Sequence, residues 1–317
     1  MKTMKYFKKH MKWALVLILF FSIAPVKAQY DAMFTNYMWN EMFINPGYAG
    51  SREAISAVGL LRDQWVGIDG APMTQTLTLH GPIMHRQAGL GISAMHESIG
   101  ITKQTYMMGT FAYRFPLGAG KLSMGLSLGV LSKRDLLTDV TTDQAADINF
   151  AANSPLFTMP NGSFGLYYYT DKYYIGLSVP RLINNRIVAD VGTIEAQNTF
   201  DPQNLHNFLT GGYVFNVSSD VKLRPTLLLK TVYGAPLEAD VTVSALFREF
   251  IWAGLAWRSG DAASLLLGLQ INPNLRVGYS YDYTLTPLQK INRGSHEICI
   301  GYDFWIGKSK IVSPRFF

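Results

Sequence analysis

Alternation with a period of two, recurring in segments of about ten residues, constrains this chain more than any other feature. From Lys121 onward, Leu122, Met124, Leu126, Leu128 and Val130 alternate with Ser123, Gly125, Ser127 and Gly129. Large apolar groups on one face and small polar ones on the other fit a strand with lipid outside and a lumen inside. After residue 28 no apolar run approaches the roughly 20 residues a membrane-crossing helix needs. A strand of a soluble sandwich also alternates, but a second sheet covers its apolar face and its connections are not sorted by length. The expected class is all-β: a transmembrane outer-membrane barrel of about 14 antiparallel strands with an N-terminal plug-like segment.

Strands are expected at 54–65, 73–80, 88–97, 103–115, 121–134, 161–170, 173–180, 206–217, 221–231, 239–247, 250–258, 262–271, 275–284 and 295–304. With the N-terminus in the periplasm, the connections on that side are tight from the fourth strand onward. They are Pro116 to Gly120, Asp171-Lys172, Ser218 to Asp220, Arg248-Glu249 and Asn272 to Asn274. The opposite side carries the long polar stretches 135–160, 181–205 and 285–294, with Gly260-Asp261 as a tight exception. Short turns on one side and longer loops on the other are the outer-membrane pattern. Aromatics gather beside the turns: Phe111, Tyr113 and Phe115 run into Pro116, Tyr173 follows Asp171-Lys172, and Tyr279, Tyr281 and Tyr283 share a face. Amphipathic rings are stable at headgroup level, which is where such turns lie.

The ends divide the chain. Lys2, Lys5, Lys8, Lys9 and Lys12 precede an apolar run from Trp13 to Ala24 and then Val26-Lys27-Ala28. That order reads as a cleaved signal peptide, 1–28, with the mature protein starting at Gln29. No Cys follows the cleavage site to take a lipid. The six lysines of the signal account for the whole formal charge of +6, so the alkaline balance carries no message about nucleic acid. Residues 29–52 are rich in Met, Phe, Tyr, Trp and Asn and do not alternate. They are expected to fold back into the barrel or across its periplasmic mouth. The barrel itself is expected over 53–304 as a single domain, with a periplasmic tail at 305–317. Cys299, the single cysteine, excludes an internal disulfide and is expected to pack as a small hydrophobe.

No constellation reads as an active site. The phosphate-binding and dinucleotide-binding glycine patterns, paired metal-binding cysteines and His-Glu-x-x-His are all missing from the sequence. His80, His85 and His96 lack accompanying carboxylates or thiols, and Asp139, Asp143 and Asp147 lack the dense oxygen ligands of a calcium loop. No enzyme, metal or cofactor is therefore expected. Charged residues do fall inside the strand patterns: Arg62 with Asp63, Arg114, Lys222, Arg224, Lys230, Arg258, Arg276 and Asp282. A basic side chain facing lipid at mid-bilayer costs about 2–4 kcal/mol, so these should point inward or lie at a rim. Two readings stay open for them, a lumen that binds the plug or a partner and a purely structural lumen network.

Several motifs in order carry a resemblance. They are Asn45-Pro46-Gly47-Tyr48-Ala49-Gly50-Ser51, Arg62-Asp63-Gln64-Trp65-Val66-Gly67-Ile68, Gly70-Ala71-Pro72, Tyr174-Ile175-Gly176-Leu177-Ser178 and Lys222-Leu223-Arg224-Pro225. Gly278-Tyr279-Ser280-Tyr281-Asp282, Gly294-Ser295-His296-Glu297 and Ser313-Pro314-Arg315-Phe316-Phe317 continue it to the end. Together they resemble the PorP/SprF family of type IX secretion and gliding-motility proteins of the Bacteroidetes, although Gly47 stands where that family often has Ala or Ser. The resemblance implies a non-enzymatic, multi-pass outer-membrane component of type IX protein secretion. Its implied partners are outer-membrane lipid, type IX secretion components in the periplasm and outer membrane, and the C-terminal domain of a large secreted surface adhesin. No nucleic acid is implied. Residues expected to contact plug, lumen or partner are Tyr37, Asn45, Pro46, Tyr48, Arg62, Gln64, Trp65, Arg114, Arg224, Arg258, Arg276 and Asp282. The competing function is an outer-membrane channel or transporter for small solutes.

Overall fold

A computed structural model describes residues 32–52, 54–141, 150, 152–190 and 193–304. The signal segment 1–28, Asp143, Asp147 and the tail 305–317 lie outside the described residues. Alternation becomes a wall of antiparallel strands. In chain order these are β1 (Ile55–Asp63), β2 (Met73–Ile83), β3 (Ala88–Ile99), β4 (Thr102–Leu117), β5 (Gly120–Asp135), β6 (Phe157–Tyr169) and β7 (Tyr173–Val179). After a separate pair, β8 (Asn184–Asp190) and β9 (Thr193–Thr199), the wall resumes with β10 (Asn207–Tyr213), β11 (Phe215–Asn216) and β12 (Val221–Thr231). It ends with β13 (Glu238–Phe247), β14 (Ile251–Arg258), β15 (Ala262–Gln270), β16 (Leu275–Thr284) and β17 (Ser295–Phe304).

Each wall strand pairs with its chain neighbour, β7 pairs with β10, and β1 pairs with β17 from Ile55↔Phe304 to Asp63↔His296. The sheet closes, leaving no free edge. β10 and β11 are two parts of one strand on a single register against β12, so the barrel has 14 strands. The interruption falls opposite Pro225, whose missing N–H removes a ladder bond.

Register follows the pleat. On β5, Ser123 and Ser127 are buried while Met124, Leu126, Leu128 and Val130 are exposed on the outer face. The lipid-facing stretch of β4 from Met107 to Phe115 spans about 21 Å once strand tilt is included, most of the roughly 25 Å height of an outer-membrane apolar band. Among the described residues no helix is long and apolar enough to cross a membrane; crossing is by strands.

Connections sort by length at the two ends, with an added exception at Gly100, whose positive φ of 54° makes the β3–β4 connection tight on the long-loop side. Near the short-turn end, Tyr173 stacks on Tyr213 at 6.2 Å and Tyr213 meets Phe215 at 4.4 Å. This is the periplasmic end by the usual arrangement of such barrels. The stretch 181–205, expected as a polar loop, instead contains the β8–β9 hairpin, registered from Asn184↔Thr199 to Asp190↔Thr193. Its polarity hid it, because a hairpin standing clear of the bilayer has no lipid face to make it alternate strongly.

Candidate functional site

The space enclosed by the strands is divided. Residues 32–52 run through its length as irregular chain with single turns at Tyr37–Trp39, Glu41–Ile44 and Pro46–Tyr48. They enter near the long-loop end, beside the upper parts of β14, β16 and β17, and leave near the short-turn end beside β2 and the end of β17. They thus lie within the ring of strands rather than below its mouth. Their apolar side chains make a core with inward-facing Leu60, Met95, Leu228, Leu246, Trp252 and Leu266. Trp39 packs edge-on against Trp252 at 4.7 Å. The inward parity was expected to be small and polar, and these large apolar residues are the departure. Burying them together is what makes a dry interior possible.

Polar contacts hold the segment at three levels. At the long-loop end, Arg62 pairs with Asp282 at 2.7 Å and with Glu297 at 3.2 Å. The Thr35 hydroxyl donates to Asp282, and the backbone N–H groups of Thr35 and Asn36 donate to Glu297 at 3.0 and 2.7 Å. Arg258 pairs with Asp240 at 2.7 Å and donates to the Phe34 carbonyl. At mid-height, the Tyr37 hydroxyl donates to Thr226 Oγ1 at 3.0 Å, and Tyr167 donates to Glu41 at 2.9 Å. Asn45 donates to the Leu166 carbonyl and accepts from Gly47 N–H. At the short-turn end, Arg52 reaches Asp303 with two nitrogens, at 3.1 and 2.6 Å, and Arg276 joins the same carboxylate at 2.7 Å beneath the Trp39 ring. Arg114 donates to the Gly50 carbonyl at 2.6 Å. Buried charges are tolerable only when paired and hydrogen-bonded in this way.

Two glycines set how closely the chain approaches the wall. A Cβ on Gly125 would run into the backbone of Pro46, and one on Gly89 into the carbonyl of Ala49. Tyr48 completes the contact by packing edge-on against His80 and Tyr167, each at 5.4 Å.

The structure thus gathers Tyr37, Asn45, Pro46, Tyr48, Arg62, Arg114, Arg258, Arg276 and Asp282 around one segment, and Arg224 is buried in the same lumen. Gln64 and Trp65 lie elsewhere, in the connection above β1. There Gln64 N–H donates to the Pro72 carbonyl and Trp65 N–H to Ser295 Oγ. Lys222 lies at the rim, paired with Glu249 at 2.7 Å. The strand pattern did not single out Glu41, Arg52, Asp240, Glu297 or Asp303. A signal for three of them existed, since Asp240 shares parity with Thr242 and Ser244 in β13, and Glu297 and Asp303 share parity with Ser295 and Gly301 in β17. His80 accepts from Gly50 N–H, His96 meets Thr105, and His85 sits in a turn. Among the described residues no group of three His, Cys, Asp or Glu side chains is placed to hold a metal.

Above the segment, at the long-loop end, lies a chamber of about 550 Å³ walled by the tops of β4 to β6, by β8 and by the connection before β10. It narrows to a pocket of about 60 Å³ floored by Met42, Phe43 and Ile44. Gln104, Tyr106 and Arg181 border both spaces. Burial lowers the Arg181 pKa to about 10, which leaves the guanidinium cationic at neutral pH. Burial, reinforced by Arg181, lowers that of His206 to about 4, so this imidazole is neutral.

A family profile described as type IX secretion system membrane protein PorP/SprF matches residues 26–302. The chain belongs to that family. The PorP/SprF assignment and the barrel make it an outer-membrane component of type IX secretion. Comparison with curated proteins gives no match. Among solved structures it is similar to the Acinetobacter baumannii outer membrane protein Omp33, at 8% identity over 80% of this chain and 99% of that one, with a TM-score of 0.48. It is also similar to the CymD monoaromatic hydrocarbon channel, at 13% identity over 89% of this chain and 97% of that one, with a TM-score of 0.48.

Proposed function

We propose that this PorP/SprF protein is a closed anchor rather than a conduit. It holds a secreted cargo, such as the C-terminal domain of a surface adhesin, at its long-loop end, while its short-turn end and tail 305–317 meet periplasmic secretion components. Residues 32–52 serve as a plug in this reading. The observation that carries it is the filling of the lumen by a segment tied at both ends: above, Thr35 and Asn36 donate hydrogen bonds to the Asp282 and Glu297 carboxylates that Arg62 pairs with, and below, Arg52 pairs with Asp303. A freely open pore gains nothing from such filling, whereas an anchor needs a rigid body that does not leak.

Planar-bilayer recordings test the plug. The intact protein is expected to give no steady single-channel current, and deletion of residues 32–50 is expected to open one. Steady current through the intact protein would favour the channel reading. Affinity purification from the native membrane tests the anchor. A large secreted protein retained by its C-terminal domain supports it, and recovery of periplasmic components alone counts against a cargo-holding role.

A further inference from the structure

The chamber above the segment is lined by four consecutive residues of β8, Asn184 to Ile187. Successive side chains of a strand point to opposite faces, so a strand that lines a cavity with both parities presents its edge to it. β8 pairs with β9, and this two-stranded sheet joins no other strand among the described residues. Backbone donors and acceptors on the edge away from β9 thus have no ladder partner, the arrangement that accepts an added strand. Among the described residues, charge around the chamber is unbalanced: Lys133, Arg181 and Arg186 face Asp201, while His206 is neutral. Glu97, deeper in, has its carboxylate occupied by Thr74 and Gln104. Below, the pocket shared through Tyr106 and Arg181 is walled by Phe43, Met95, Met108 and Phe208.

We propose that the outer chamber binds an extended, acidic polypeptide segment, which adds as a strand to the edge of β8 and seats one apolar side chain in the pocket beneath. This rests on the anchor reading and gives its cargo a chemical class. The volume of about 550 Å³ suits a short stretch of chain rather than a folded domain. Strand addition supplies affinity through main-chain hydrogen bonds, and the cations select the sign of the peptide.

The test uses full-length protein in lipid nanodiscs and a fluorescein-labelled peptide of alternating Glu and Val, read by fluorescence anisotropy. Binding is expected, weakened about tenfold or more when Lys replaces Glu and again when alternate amides are N-methylated. Lys133→Glu with Arg186→Glu is expected to weaken the Glu-Val peptide by a similar factor and to improve the Lys-Val peptide. Equal binding of the N-methylated peptide would overturn the proposal. So would saturation of the chamber by decanoate with no peptide binding, which marks a small-acid site instead. Because these comparisons are made on the unaltered protein, a misfolded variant does not blunt them. Cargo retention separates the two readings. If the doubly reversed variant still retains cargo at the normal level, the anchor stands and the β8 site falls. If the unaltered protein retains no cargo yet binds the Glu-Val peptide, the site stands and the anchor falls.

Discussion

The lower lumen and the outer chamber are enclosed by the same strands yet built on opposite terms. Below, every ion pair around residues 32–52 joins side chains that are nearly all buried, and glycines replace side chains where the segment touches the wall. Above, cations outnumber acids among the described residues of the chamber, space is left open, and one wall is a hairpin outside the barrel sheet. A closed sheet fixes the wall but leaves its contents to be decided separately at each height. The contrast teaches that one closed wall can be packed solid at one height and left open at another.

Substitution can break that contrast, most severely below. Arg62→Ala leaves Asp282 and Glu297 buried beside each other without their cation. It is expected to cost about 3–5 kcal/mol, read as a shifted urea midpoint in detergent micelles; an unchanged midpoint would mean that the pairs do not seal the lumen. Gly125→Ala forces Pro46 away from the wall, with an expected cost of about 1–3 kcal/mol. Faster protease cleavage within residues 32–52 should accompany it. Gly59→Ala, where a Cβ meets nothing within 4 Å, is the control and should behave as the unaltered protein.

Acidity probes the chamber. The His206 pKa is lowered from 6.5 to about 4, so the folded state binds fewer protons than the unfolded chain between those values. The packing around His206 therefore loses stability as pH falls through that window. Limited proteolysis of the β8–β9 hairpin is expected to run faster near pH 5 than near pH 7.5, and His206→Gln to remove the difference. The smallest effect belongs to the rim. Glu249 is mostly exposed and Lys222 partly so, so Lys222→Ala should change stability by less than about 1 kcal/mol. A larger loss would make the rim pair part of the seal.

Much of the wall was legible in the sequence, because lipid imposes its own pattern: Met124, Leu126 and Leu128 must alternate with Ser123, Gly125 and Ser127 wherever one face meets hydrocarbon. The 221–231, 275–284 and 295–304 strands coincide with β12, β16 and β17 to the residue. Less of the interior was legible. Leu60, Met95, Leu228 and Trp252 break the inward polar pattern for a partner segment elsewhere in the chain, as far as Trp39 is from Trp252, and no local period encodes that distance. Glu297 and Asp303 carried the right parity, but only the folded register sets one against Arg62 and the other against Arg52.

The sequence by itself determined a closed, lipid-facing wall, its division into short turns and longer loops, and, through ordered motifs, its family. Those features are local or periodic, and hydrophobicity writes them directly into the chain. The tertiary structure decided what fills the barrel, which charges meet, and that the hairpin at 184–199 helps wall a cationic chamber. Those depend on contacts between segments far apart in sequence, whose energy exists only once the strands have closed.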